Sequence, residues 1–273
     1  MTINCKGTLV DLSSPKVMGI LNITPDSFYD GGKYKNESEI LHQTEKMLTE
    51  GATFIDVGAY SSRPGAAHIS EDEELNRILP VIDLLIKEFP EILISVDTFR
   101  AKIASETVQR GASIINDISG GNMDEKMFST ISNLNVPYIV MHMLGTPQNM
   151  QKNPVYKNIT QEVISFFAEK IFQLHQLKVN DIIIDVGFGF GKTIAHNFEL
   201  LQNLSLFKSL DAPILAGVSR KSMLYKTLDT SAKEALNATT SANTIALLNG
   251  ANILRVHDVK EAVEAVKIVE QVL

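Results

Sequence analysis

The chain has 273 residues, of which 44% are hydrophobic and 21% charged, and its formal net charge is −7. This acidic balance argues against nucleic acid as a partner, and an anionic substrate would need locally placed cations. The single cysteine, Cys5, excludes an internal disulfide and fits a reducing compartment. No apolar run approaches the ~18 residues of a membrane span, and the N-terminus lacks the order of a signal peptide. The sequence therefore predicts a cytoplasmic protein of enzyme size.

A unit of apolar run, turn and amphipathic helix recurs along the chain after residues 1–16, which predict a small hairpin over the lower end of the fold. The apolar runs are rich in Ile and Val and nearly continuous in hydrophobicity, as is typical of parallel strands covered on both faces. The eight runs are 17–23, 54–59, 92–98, 113–119, 137–143, 182–188, 213–219 and 252–258. They predict an α/β fold, a (β/α)8 TIM barrel over residues 17–273 with a short N-terminal β-hairpin, all in a single domain. A doubly wound parallel sheet is the structural alternative.

Two of the helical patterns begin with a recognisable cap. Ser70 and Glu73 have the spacing of a capping box at the start of the helix over residues 70–89. Asp258 and Glu261 open the last helix in the same way. Both patterns predict helices that come after a strand along the chain, as the barrel requires.

The apolar runs end in polar or charged residues. These are Asn22, Asp56, Asp97, Asn116 with Asp117, His142, Asp185, Ser219 with Arg220 and Lys221, and Arg255 with His257. A lone Asp at such a position is more often a helix cap or a loop brace. In a barrel, however, these ends converge on the rim where the chemistry takes place. Because burying so many polar groups is costly unless they pair with each other or with a ligand, the pattern predicts a binding site.

The polar residues at the rim divide by charge. One group consists of Asp97, Asn116, Asp117 and Asp185. Carboxylates and carboxamides suit a flat, nitrogen-rich ring because they pair with its N–H groups. The other group consists of Arg63, Arg255 and His257. The end of the last barrel strand is a frequent phosphate position, and a guanidinium group matches phosphate geometry.

Two motifs invite interpretations that the spacing does not support. The stretch GFGFGKT at 187–193 has only three residues between Gly187 and Gly191, where a Walker A loop needs four. It is better explained as a glycine turn that lets backbone and Phe190 approach a ligand closely. His142 has no second His or Cys at metal-ligand spacing, which argues against a zinc site.

The motifs together resemble a known family. The stretches MGILNITPDSF, SSRPGA, SVDTF, NDISGG, MHMLGTPQNMQ, DVGFGFGK, GVSRKSM and RVHDVKE occur in this order over almost the whole chain. This set is similar to the dihydropteroate synthases. The resemblance implies condensation of (7,8-dihydropterin-6-yl)methyl diphosphate with 4-aminobenzoate, giving 7,8-dihydropteroate and diphosphate in folate synthesis. It also implies a requirement for Mg²⁺, a homodimer and inhibition by sulfonamides.

The resemblance carries site residues with it. The implied pterin-binding residues are Asp97, Asn116, Ile118, Met141, Asp185, Phe190 and Lys221. The implied diphosphate-binding residues are Asn22, which is also the metal ligand, Ser62, Arg63, Arg255 and His257. The implied p-aminobenzoate pocket consists of Phe28, Pro64, Lys221 and Ser222. The implied catalytic residues are Asp97, Asp185, Lys221, Arg255 and His257.

The family mechanism is dissociative and passes through a pterin-methyl cation, so it needs no side-chain nucleophile. The stretches TPDSFYDGG and YSSRPGAA would be the loops that exclude water from this cation. The chain departs from the usual pattern at Tyr60, where the family often has Glu, and at Val186, where Pro is frequent. The functional alternatives are a pterin-dependent methyltransferase and a catalytically silent pterin-binding paralogue.

Overall fold

The structure is a computed structural model. It describes residues 1–23, 33–61, 68–150 and 154–272, with residues 33–36 described in backbone only. No helix in these ranges is long and apolar enough to cross a membrane.

The chain begins with an antiparallel hairpin of β1 (Thr2–Cys5) and β2 (Thr8–Asp11). Its two-residue turn, Lys6 and Gly7, has φ of 50° and 97°, the left-handed conformation that suits the twist of such hairpins. The side chains of the hairpin pack against residues of the barrel strands in one buried cluster. The hairpin predicted over residues 1–16 is therefore present, and it closes the lower end of the barrel.

Eight parallel strands close into a barrel. They are β3 (Lys16–Asn22), β4 (Phe54–Gly58), β5 (Ile94–Asp97), β6 (Ile114–Asp117), β7 (Tyr138–Met141), β8 (Ile182–Asp185), β9 (Ile214–Ala216) and β10 (Ile253–Val256). Each pairs with the next along the chain, and β10 pairs with β3. Because the sheet is closed, the predicted (β/α)8 barrel is confirmed and the doubly wound alternative is wrong.

Helices connect the strands and cover the outside of the barrel. Within the described residues they are α1 (Lys33–Thr49), α2 (Glu71–Glu88), α3 (Ala101–Gln109), α4 (Met127–Leu134), α5 (Ile159–Gln176), α6 (Ile194–Gln202), a 3-10 helix (Leu204–Leu210), α7 (Ser222–Thr227), α8 (Leu236–Leu248) and α9 (Val259–Val269). Ser70 caps α2 as predicted, since its side chain accepts from the backbone N–H of Glu73 at 3.1 Å. Asp258 precedes α9 but makes no side-chain cap bond. That part of the sequence interpretation is wrong because Asp258 is paired with Arg220 instead.

Candidate active site

The carboxyl ends of the barrel strands bring six of the predicted site residues to one rim. They are Asn22 on β3, Asp97 on β5, Asn116 on β6, Met141 on β7, Asp185 on β8 and Arg255 on β10. Gly58, at the end of β4, leaves space between the first two. A Cβ atom built there would lie 3.7 Å from Asn22 Oδ1 and 3.8 Å from Asp97 Oδ2. The two oxygen atoms therefore face the same small space.

Arg255 forms the central ion pairs of the rim. Its Nε donates to Asp56 Oδ2 at 2.7 Å, and a terminal nitrogen donates to Asp97 Oδ2 at 2.8 Å. Asp56 is fully buried and also accepts from Ser95 Oγ at 2.6 Å and from Asn116 Nδ2 at 3.2 Å. Asp56 thus orients Arg255 and Asn116 together, so it links the two groups that the sequence separates by charge.

Sequence reasoning places Asp56 among the polar strand ends but gives it no specific binding or catalytic role, and it assigns no role to Lys192. The structure places both beside predicted site residues. Lys192 closes the GFGFGK stretch, and only 4% of its surface is exposed. A lysine at the end of a glycine turn gives no sequence signal of burial, because lysines are almost always exposed.

The rim presents hydrogen-bond acceptors that are buried from water. Asn116 Oδ1 is buried and accepts no hydrogen bond from any residue that the structure describes. Asp185 is also buried, and its Oδ1 accepts from the backbone N–H of Gly187 at 2.8 Å. Burial raises the pKa of Asp185, and the positive charge of Lys221 partly opposes this shift. Burial likewise raises the pKa of Asp97 to about 7, although the positive charge of Arg255 opposes the shift. A ligand with N–H groups would supply the donors that these acceptors lack.

Asp117, which the sequence groups with the ring-binding carboxylates, has a different role. Its Oδ1 accepts from the backbone N–H and the hydroxyl of Ser119, both at 2.7 Å. Its Oδ2 accepts from Tyr138 Oη at 2.6 Å and from the backbone N–H of Gly121 at 2.9 Å. Both oxygens are therefore used within the fold, and Asp117 braces the turn after β6.

Lys221 brings a cation to the carboxylate side of the rim. Its Nζ lies 3.8 Å, and Asp185 Oδ2 3.9 Å, from the Cβ position at Gly217, so the two side chains converge over that glycine. Nζ also donates to the backbone carbonyl of Phe188 and lies 4.9 Å from the ring centre of Phe190. Burial lowers the pKa of Lys221 to about 8, and Asp185 opposes this shift.

The predicted apolar residues lie in one cluster next to these polar groups. Ile118 and Met141 are buried there, and Phe190 packs against them. Tyr60 belongs to the same cluster, and its hydroxyl lies 3.1 Å from both His68 Nδ1 and Gln148 Nε2. Tyr60 thus provides an aromatic ring whose hydroxyl joins the loops after β4 and β7.

The end of β10 contributes a second set of polar contacts. His257 Nδ1 lies 3.1 Å from Ser219 Oγ, which also accepts from the backbone N–H of His257 at 3.2 Å. Arg220 forms a bidentate pair with Asp258, at 2.8 Å from Nε and 2.7 Å from a terminal nitrogen. The loops after β9 and β10 are therefore joined directly behind the end of β10, where His257 lies two residues after Arg255.

The remaining predicted site residues can be located only in part. Ser222 begins α7 directly after Lys221 and is half-buried. Four predicted residues lie outside the described residues: Phe28, Ser62, Arg63 and Pro64. Across the described ranges no group of three or more His, Cys, Asp or Glu side chains could hold a metal ion. In those ranges a metal proposal therefore depends on the carboxamide of Asn22.

Comparison with known proteins gives consistent matches over the whole chain. The family model described as "Pterin binding enzyme" matches residues 18–257. The dihydropteroate synthase of Escherichia coli K12 is 42% identical, over 100% of this chain and 97% of its own length. That of Haemophilus influenzae is 41% identical, over 98% of each chain.

Solved structures show the same likeness. The dihydropteroate synthase of Yersinia pestis, in a sulfonamide drug complex, matches with a TM-score of 0.93 and 42% identity, over 100% of this chain and 99% of its own. That of Xanthomonas albilineans, in complex with 7,8-dihydropteroate, matches with a TM-score of 0.87 and 30% identity, over 99% of this chain and 98% of its own. The fold, the rim and these comparisons agree, and the chain belongs to the pterin-binding enzymes, in the dihydropteroate synthase family of transferases that act in folate synthesis.

Proposed function

We propose that the rim of the barrel binds (7,8-dihydropterin-6-yl)methyl diphosphate and 4-aminobenzoate and joins them to give 7,8-dihydropteroate and diphosphate. The observation that carries this assignment is the buried Asn116 Oδ1, an acceptor that no described residue satisfies. It lies on the strand next to that of Asp97, and Asp185 adds a further buried acceptor at the rim. A dihydropterin ring offers N–H donors along one edge, which is the complement that such a set needs.

The pterin half of the site would use three acceptors, one cation and an apolar wall. Asp97, Asn116 and Asp185 would accept from the ring N–H groups, and Lys221 would approach the ring from the side of Asp185. The wall would consist of Ile118, Met141 and Phe190, which already pack in one cluster. An apolar slot with a few convergent polar groups is typical of sites for flat small molecules.

The diphosphate half would be built around Arg255. Its Nε and one terminal nitrogen are bonded to Asp56 and Asp97. A guanidinium carries five N–H donors in a fixed fork, so it can hold these carboxylates and still donate to a diphosphate oxygen. We propose that Asn22, Ser62, Arg63, Arg255 and His257 together hold the diphosphate.

Asn22 fits a role as ligand of Mg²⁺. Its Oδ1 is directed into the same small space as Asp97 Oδ2, beside Gly58. Mg²⁺ binds through few protein oxygens when a substrate phosphate and waters complete its shell. When bound, the ion would neutralise charge on the leaving diphosphate.

The chemical step requires no nucleophile from the chain. The bond between the pterin methylene carbon and the diphosphate oxygen breaks, and its electron pair leaves with the diphosphate. The carboxylates Asp97 and Asp185 then face a pterin-methyl cation, which their charge stabilises. The amine nitrogen of 4-aminobenzoate forms the new C–N bond, and its proton is released to solvent. We propose Asp97, Asp185, Lys221, Arg255 and His257 as the catalytic residues.

The second substrate would lie beside the start of α7. We propose a pocket for 4-aminobenzoate formed by Phe28, Pro64, Lys221 and Ser222. Lys221, with Ser222 next to it in the chain, lies at one end of this pocket, where its Nζ approaches the ring of Phe190. A sulfonamide, which has the shape of 4-aminobenzoate, should compete for this pocket, and a relative from Yersinia pestis has been solved in a sulfonamide drug complex.

We propose further that residues 1–273 act as one catalytic unit, in the cytoplasm, as a homodimer. The outer surfaces of α8 and α9 are candidates for the dimer contact. Ile245 and Leu248 on α8 are 45% and 48% exposed, and Ile268 on α9 is 68% exposed. Sedimentation of the wild type and of Ile245→Glu would test this, because a charge in an apolar contact should favour monomers.

The activity itself is tested by measuring diphosphate release from purified protein, dihydropterin diphosphate, 4-aminobenzoate and Mg²⁺. Sustained release should require 4-aminobenzoate and should be lost in Asp185→Asn and Arg255→Ala. Asp83→Ala, at an exposed ion pair on α2, is the matched control and should retain activity. Binding of the pterin without release would instead favour the silent paralogue, and methyl transfer would favour the methyltransferase.

A further inference from the structure

Lys192 is a buried cation that the proposed reaction does not use. It lies seven residues after the end of β8, and its side chain turns inward. Four acceptor atoms lie within hydrogen-bond distance of its Nζ, which has three N–H donors to share among them: His142 Nδ1 at 3.0 Å and the backbone carbonyls of His142, Gly187 and Phe190 at 3.1, 2.9 and 2.9 Å. One ammonium group thus holds two separate segments, the residue after β7 and the turn after β8.

All four acceptors are neutral. His142 Nδ1 accepts, so the ring proton of this neutral imidazole is on Nε2. Burial and Lys192 together lower the pKa of His142 to about 3, and burial lowers the pKa of Lys192 to about 7 although Asp185 opposes it. A lysine buried among neutral groups is costly. An apolar side chain would avoid the cost of burying the ammonium group but would leave these four acceptors unsatisfied, so the cost is met by the contacts that hold the two segments together.

The backbones of the two segments are also in close contact. Gly187 and Gly191 have φ of 68° and 60°, and a Cβ atom at either would collide with backbone of residues 142–144. Tyr156 Oη holds the turn from outside by donating to the carbonyl of Gly191 at 2.8 Å. The turn after β8 therefore packs directly against the end of β7, and Lys192 provides the hydrogen bonds between the two segments.

The segments that Lys192 joins carry three of the residues proposed for the pterin. Met141 precedes His142, and Phe190 supplies one of the carbonyls. Asp185 accepts from the backbone N–H of Gly187, whose carbonyl also binds Lys192. Loss of the Nζ contacts would therefore affect Phe190 directly, Met141 through its neighbour His142, and Asp185 through Gly187.

We propose that Lys192 is a positioning residue that sets the geometry of the pterin slot, by fixing Phe190 and Asp185 of the β8 turn relative to Met141 of β7. The proposal rests on the proposed function, because it takes the pterin as the ligand of these residues. Lys192 does not itself contact the substrate, so its removal should weaken pterin binding selectively. Binding of 4-aminobenzoate, whose proposed pocket lies at α7, should change little.

The test is Lys192→Met, which keeps the length of the side chain and removes every donor. The dissociation constant of pterin-6-carboxylate and the Michaelis constants for both substrates are measured, with urea unfolding as a check of the fold. Since a misplacement of ~1 Å can cost up to about 100-fold, we expect the pterin constants to rise about 10- to 100-fold. At saturating pterin, the Michaelis constant for the amine substrate should stay within about twofold of its wild-type value.

Lys6→Met is the control, because Lys6 lies in the hairpin turn at the lower end of the barrel, where its Nζ donates to the backbone carbonyl of Val108 at 2.7 Å. It should leave both sets of constants unchanged. Lys192→Gln keeps neutral N–H donors on a shorter side chain, so its pterin constants should rise less than those of Lys192→Met. It replaces the Met variant in the test if that variant does not fold.

Two results would overturn the proposal: pterin constants within twofold of wild type in a folded Lys192 variant, or equal losses for both substrates. Failure of the wild type to bind pterin-6-carboxylate is a different result. It would overturn the proposed function, and this inference with it.

Discussion

Truncation of Asp56 should destabilise the protein far more than truncation of an exposed aspartate in a similar ion pair. Asp56 has no exposed surface, and it accepts from Arg255, Ser95 and Asn116. In Asp56→Ala the guanidinium of Arg255 stays in place with Asp97 as its remaining carboxylate. The hydroxyl of Ser95 and the amide of Asn116 each lose an acceptor.

The size of the effect follows from burial. Removing one partner of a buried ion pair costs about 3–5 kcal/mol, and the remaining bond to Asp97 places the expected loss near 3–4 kcal/mol. This is a large share of the roughly 5–15 kcal/mol that stabilises a typical domain. For a chain of this size it corresponds to a fall in Tm of about 6–15 °C.

Urea unfolding with a spectroscopic readout measures the loss directly. The midpoint should fall while the m-value stays unchanged, because the surface exposed on unfolding is the same. Asp83→Ala is the control, since its ion pair with Arg110 is 51% and 40% exposed and such pairs contribute about 0–1 kcal/mol. Equal, small losses in the two variants would refute the claim that Asp56 holds Arg255 in the rim.

Three further predictions concern the rim. Burial raises the pKa of Asp97 to about 7, and only the ionised form accepts two N–H bonds. The affinity for pterin-6-carboxylate, measured by fluorescence titration, should therefore rise from pH 6 to pH 8. In Asp97→Asn this rise should disappear. His142 has a pKa of about 3 when folded and 6.5 in the reference state, so the unfolded chain binds the extra proton between these values. The contribution of neutral His142 to the free energy of unfolding is complete above pH 6.5 and falls with pH, by about 2 kcal/mol at pH 5. In His142→Gln, the free energy of unfolding measured in urea should therefore depend less on pH in this range. Gly187→Ala should lower stability by more than about 2 kcal/mol, because its positive φ adds to a collision with the carbonyl of His142. Gly7→Ala, with φ of 97° and nothing near its Cβ position, should show the smaller cost of backbone strain alone in the same assay.

The barrel and much of its rim could be predicted because both follow from local pattern. The strands lie within largely apolar runs, and polar residues occur at or just after the ends of most of them. Since all strands of a barrel point the same way, the end of the run at Asp97 and the end of the run at Asp185 must share one edge. No contact between them had to be known.

Partners that lie far apart in the sequence could not be predicted in the same way. Asp56 and Arg255 are 199 residues apart, and nothing near either one indicates the pair. Asp258 shows the converse problem: its spacing to Glu261 fits a helix cap, but the structure pairs it with Arg220. A tertiary ion pair here replaces a local cap, and local spacing cannot distinguish the two.

The charges at the rim also explain how an acidic protein could bind an anion. Three carboxylates of the rim, Asp56, Asp97 and Asp185, lie near three cations, Arg255, Lys221 and Lys192. These six charges cancel and Asp117 adds a further buried carboxylate, so a diphosphate brings an excess of negative charge into a region of low dielectric. Neutralising it requires cations beyond these three, which is the physical argument for Mg²⁺ at Asn22 and for Arg63. Because Arg255 already serves two carboxylates, we expect diphosphate affinity to depend more steeply on Mg²⁺ than pterin affinity does.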